Sequence, residues 1–224
     1  MGLFARLTQG SAGAKPDGNN SSVEILNRFE EAKKRLQTSP YFQEDPDHPY
    51  GLFDGRIIIG EEPPIHGGVY IGATPQEAVV VDEKYGNLEP LYMRLLVKFL
   101  NLQKNGSSQI TEEIIPFIFE FAQDSLELST ERVRSIIKDQ EIEPDQKVTL
   151  DLFLLHKTGL PRHQILLAAY LIEKLINKGY LQGQLKIEAD FSYEELEEES
   201  LTFTSSSGTV HQFTPRSHVT HIVQ

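Results

Sequence analysis

Three histidines near the C-terminal end, His211, His218 and His221, are the first residues here whose types and spacing suggest chemistry. With Asp190 or Glu198 as an acid partner, they would suit a hydrolase site of ordinary acid–base type. A shared metal is less well served. It needs a third ligand, and in a strand residues three apart, such as His218 and His221, face opposite ways. The pattern therefore predicts no metal centre and no cofactor, with the histidines at the surface. Arg162-His163-Gln164 is the second candidate, a planar guanidinium fork beside an imidazole that would suit a carboxylate or a peptide carbonyl. The bland alternative has Arg162 capping a loop and His163 bonded to backbone. Gly67-Gly68-Val69-Tyr70-Ile71-Gly72 is glycine-rich but lacks the Lys-Ser/Thr of a phosphate loop, so it reads as a turn. Glu194-Glu195-Leu196-Glu197-Glu198-Glu199 reads as a solvated loop, or as a docking patch for a basic partner.

The chain contains no cysteine, which excludes a thiol nucleophile, disulfides and thiolate metal sites. Its formal net charge of −12 repels phosphate backbones, and no run of five Lys/Arg occurs, so nucleic acid is not an expected partner. The longest apolar stretch, Ile165 to Ile172, is far short of the roughly twenty residues a spanning helix needs. The opening Met1-Gly2-Leu3-Phe4-Ala5-Arg6 has no apolar core of a signal peptide, and Arg6 spoils an acylation match at Gly2. A cytoplasmic protein is the expectation. Hydrophobic residues at 39% over 224 residues supply enough apolar surface for a real core.

The elements that must position these groups read as an α+β chain. Residues 1–22, with the Gly-, Ser- and Asn-rich stretch from Thr8 to Ser22, form a disordered lead-in. Residues 23–104 hold a helix from Val23 to Leu36, N-capped by Ser22, and a small β region. Its strand-like runs are Arg56 to Ile59, Gly68 to Ile71 and Ala78 to Val81, linked through Glu61-Glu62-Pro63-Pro64. The apolar spacing predicts a helix from Glu89 to Gln103, a second capped by Thr111, and a third opened by Ser129-Thr130-Glu131. Residues 105–224 form the main helix-plus-sheet core, continuous or not with 23–104. At its centre, Ile165 to Lys178 is apolar almost all round, which predicts a helix buried inside the domain with Pro161 in its first turn. Gly179 stops it, Leu181 to Ile187 leads out as a strand, and Leu201–Thr204, Ser205–Gly208 and Thr209–Pro215 read as a hairpin.

From Lys147 to Asp190, with Gly159-Leu160-Pro161-Arg162-His163 opening a long apolar helix, a Gly-containing turn and then a strand, the chain resembles the bacterial transglutaminase-like proteins. These are relatives of the papain-type cysteine enzymes, in which a Gly-x-Cys-Arg-His segment places its thiol at the N-terminus of such a helix. There the macrodipole and unpaired N–H groups favour thiolate. The resemblance puts Gly159 on the glycine, Arg162-His163 on the Arg-His, and Pro161 on the nucleophile. The tail extends it in weaker register, with Glu198 at the position of the base histidine and Thr214, before Pro215, at that of the orienting acid. All three catalytic positions are thus substituted. The resemblance implies a non-catalytic module that binds a protein or regulates one through a residual cleft at Arg162, His163 and Gln164, with no cofactor. The alternatives are the histidine-dependent hydrolase and a secreted bacterial effector, translocated into a host cell with the acidic run as part of its address.

Overall fold

The computed structural model describes residues 30–72, 74–190, 198–215 and 219–223. The lead-in, Ser22 and residues 23–29, where the sequence predicts the start of a helix, lie outside them. The chain is an α+β fold: helices and separate small sheets assemble around one long central helix.

Residues 30–36 form the first helix (α1), which packs Ala32 and Leu36 against a three-stranded antiparallel sheet and its neighbour. That sheet is made of β1 (Phe42–Gln43), β2 (Leu52–Phe53) and β3 (Arg56–Ile57). The second sheet joins β4 (Val69–Tyr70), β5 (Ala78–Val80) and β7 (Lys147–Thr149). Its β4–β5 pair is antiparallel and its β5–β7 pair is parallel. β5 is buried along its whole length, as a strand covered on both faces must be.

Three helices follow: α2 (Leu88–Lys104), α3 (Ile110–Ser125) and α4 (Thr130–Asp139). The third helix opens at Ser129-Thr130-Glu131, as read from the sequence, and Ser129 caps it by accepting the Arg132 N–H. Thr111 does not cap α3. The helix begins one residue earlier, at Ile110, with Gln109 as a cap that makes no side-chain bond. β6 (Glu127–Leu128), the short α5 (Leu150–Leu155) and β8 (Thr158–Gly159) then lead into α6 (Pro161–Asn177).

Twelve of the 17 residues of α6 are buried, among them Leu167, Leu171 and Ile172 with no exposed surface. An apolar helix with no polar face is stable only when covered on every side. Here α2, α3 and α5 cover part of it, and β9 (Gly183–Asp190) and β10 (Glu198–Ser205) cover the rest. With β11 (Val210–Thr214) and β12 (Val219–Val223) they form an antiparallel meander ordered β12-β11-β10-β9. Alternation along β11 sends His211 and Phe213 inward, where Phe213 stacks on Phe119 of α3 with ring centroids 4.8 Å apart.

Candidate functional site

The N-terminus of α6 is built around Pro161, the first helical residue, whose missing N–H would be unpaired in any case. Leu160 before it is extended, and two residues after it His163 curls back so that its Nδ1 accepts the Leu160 N–H at 3.0 Å. Accepting at Nδ1 puts the ring proton on Nε2, which lies 3.1 Å from Glu77 Oε1 and donates to it. Arg162 donates through Nη2 to the same carboxylate oxygen. Phe153 closes the other side, its ring 3.8 Å from the imidazole. Gly159 makes room for this turn. A Cβ there would meet His163 Cβ at 3.1 Å and Nδ1 at 3.4 Å, tighter than most side chains tolerate.

The electrostatics follow from burial and charge. Burial of the Glu77 carboxyl alone would raise its pKa. The hydrogen bond from His163 and the Arg162 charge outweigh that and hold it at about 2. Burial of His163, which has no exposed surface, pushes its pKa down to about 4, against the pull of Glu77. At neutral pH the cluster is therefore Glu77 carboxylate, Arg162 guanidinium and neutral His163. Gln164 turns away and donates through Nε2 to the Leu126 carbonyl at 2.6 Å. Of the three candidates for binding, His163 and Gln164 are buried and only Arg162 reaches the surface, with 11% of its side chain exposed. His163 bonds a backbone N–H and a carboxylate rather than a backbone carbonyl.

The other two positions that the resemblance compares with a triad lie at one end of the meander. Glu198 opens β10 opposite Asp190, and Thr214 sits one step beyond the Leu201–Phe213 pair, beside Ser200. The side chains of Asp190 and Glu198 lie outside the described residues. The adjoining Glu199 is buried and accepts the Tyr70 hydroxyl from β4. The acidic run is thus not wholly a solvated loop: its last residue is a strand position turned into the core, while 194–197 lie outside the described residues. Through that bond the start of β10 is tied to the small sheet that Glu77 precedes.

The C-terminal histidines are dispersed. His211 is fully buried against Phe203, not at the surface, and neither ring nitrogen has a hydrogen-bond partner among the described residues. Its burial lowers its pKa, opposed by Glu112 at the start of α3. His221 pairs through β12 with Gln212, its side chain outside the described residues, as is the whole of His218. Among the described residues no group of three His, Cys, Asp or Glu is placed to hold a metal ion. No helix there is long and apolar enough to cross a membrane.

Sequence reasoning missed Glu77, and it missed a second polar cluster halfway along α6. Glu173, buried, accepts the Ile65 N–H at 2.9 Å and the His66 N–H at 2.7 Å, one on each oxygen. On the neighbouring face, the Tyr170 hydroxyl at 2.6 Å and Lys174 Nζ at 2.5 Å both donate to Glu83. The available signal was the set of three polar residues, Tyr170, Glu173 and Lys174, within an otherwise apolar helix. Such residues must find partners when buried. A cleft of about 550 Å³ lies apart from these clusters, between α1 and the loop before β7. Four of its five charged lining residues are already paired, Arg35 with Asp145 and Lys147 with Asp54, and Glu143 is the fifth.

No family model, curated protein or solved structure matches this chain.

Proposed function

We propose that this chain is a non-catalytic, transglutaminase-like module that works by binding another protein. One observation carries the reading: where the resemblance puts a thiol, Pro161 begins the buried helix, and the Arg162-His163 pair after it is committed to Glu77. A general base needs a free lone pair within reach of the proton it takes. The His163 lone pair is used on the Leu160 N–H, and the ring is stacked under Phe153. These groups hold the helix terminus in place of acting on a substrate.

The order of elements supports the resemblance. A buried helix is followed by a Gly-containing turn and an antiparallel meander whose first strands pack along it, with 198–200 and 214 at one sheet end. The test is incubation of the full chain with a primary amine and a glutamine-bearing substrate, and separately with a peptide ester, read by mass spectrometry. The reading predicts no time-dependent product. Turnover abolished by His163→Gln would overturn it.

A further inference from the structure

Helix α2 buries Leu88, Tyr92, Leu95, Phe99 and Leu102 on its inward face. Its outward face carries Met93, Val97 and Leu100, which are 50%, 57% and 44% exposed. Single exposed apolar residues need no explanation. These three stand at i, i+4 and i+7, one continuous stripe about 10 Å long on a helix face, and a contiguous apolar patch marks an interaction surface.

The charges beside the stripe are held in place. The Arg94 guanidinium lies 4.9 Å from the centre of the Phe121 ring, and Lys98 Nζ lies 5.4 Å from that of Phe117. Neither makes an ion pair among the described residues. Lys104 continues the stripe one turn further on, and the single acid of α2, Glu89, lies in its first turn, one turn before Met93. On a chain of net charge −12, this face is basic and apolar together.

We propose that the outward face of α2 docks an acidic amphipathic helix of a partner protein, one with apolar residues at i, i+4 and i+7 flanked by Asp or Glu. The proposal rests on the reading of the chain as a protein-binding module and names the chemistry of its partner. An apolar helical stripe is matched by a second helix laid along it. The fixed cations select the sign of its flanks. A second copy of α2 would bring the same cations with it, and like charges placed together work against such a pairing.

The test uses the full chain and two labelled, helix-stapled peptides about five turns long. Both carry Leu at i, i+4, i+7 and i+11; the remaining positions are mostly Glu in one and Lys in the other. Fluorescence anisotropy should show saturable binding of the Glu peptide, about tenfold or more tighter than the Lys peptide and weakening with salt. Val97→Asp should lose that binding about tenfold or more, and Arg94→Glu with Lys98→Glu should invert the preference. All three positions are exposed, and circular dichroism checks that the variants remain folded. Equal binding of the two peptides, or none, overturns the proposal. So does a dimer that Val97→Asp dissolves, which would make the occupant a second copy. So does binding to phosphatidylserine vesicles through the same residues without the peptide preference. Failure of the non-catalytic reading would appear separately, as turnover in the amine and ester assays.

Discussion

Acidification should destabilise this fold through His163 before it reaches Glu77. The imidazole has an ordinary value of 6.5 and falls to about 4 when buried against Phe153. Between those values the unfolded chain binds a proton that the folded chain refuses, so the slope of unfolding free energy with pH is positive and stability falls as pH falls. From pH 7 to 4.5 the loss is about 2–3 kcal/mol, at about 1.4 kcal/mol for each pH unit crossed below 6.5. Glu77 acts in a lower range. Its folded value of about 2 lies below the ordinary 4.5, so its contribution is present above 4.5 and is lost as pH falls toward 2. The perturbation is His163→Gln, which can still accept the Leu160 N–H, as a glutamine at the third helical position does in a capping box, but does not titrate. Urea unfolding of both proteins at several pH values isolates the difference, because every carboxylate other than Glu77 is common to both and Glu77 keeps its Arg162 ion pair in the variant. The variant should be less stable at pH 7 yet lose about 2–3 kcal/mol less than the parent on going to pH 4.5. Equal losses in the two proteins would refute the buried, neutral imidazole.

Leu171→Ala should cost about 2–5 kcal/mol by equilibrium unfolding, because its side chain has no exposed surface and lies in the centre of the core; a cost below about 1 kcal/mol would deny that α6 is closely packed. Glu173→Ala should cost about 2–4 kcal/mol, since it leaves the Ile65 and His66 N–H groups without an acceptor. Hydrogen exchange at those two amides should speed up in the variant, and unchanged rates would show that the carboxylate does not hold them.

How much of this was legible in the sequence differs from element to element. The burial of α6 could be read because its residues are apolar at every angle, and the proline rule put Pro161 in its first turn. Ser129 as a cap was likewise a local matter, a side chain reaching an amide three residues on. Thr111 was misread because a Thr followed by acids satisfies the local pattern, while the buried Ile114 and Ile115 let the helix start without a side-chain cap. Glu77 was invisible for a different reason. Its partners are 85 and 86 residues away, and nothing local separates an acid before an apolar strand from a solvated one. Glu199 shows the same limit, because an acidic run looks solvated until Tyr70 from another sheet takes one member inward. The parallel pairing of β5 with β7 also joins distant segments, and such pairing leaves no mark in either strand alone.

The central claim, that α6 begins where a transglutaminase-like core would carry its thiol, is tested most directly by the alkylation rate of Pro161→Cys. A thiol at the first helical position, half-buried and next to the Arg162 charge, feels the positive end of the helix. The nearby Glu77 carboxylate is neutralised by the same arginine. Its pKa should fall below the unperturbed value of about 8.5. The account predicts reaction with iodoacetamide near neutral pH faster than that of a free cysteine, without acyl transfer, because no free base accompanies the thiol. A thiol that reacts no faster than a free one, or that is wholly inaccessible, would contradict it.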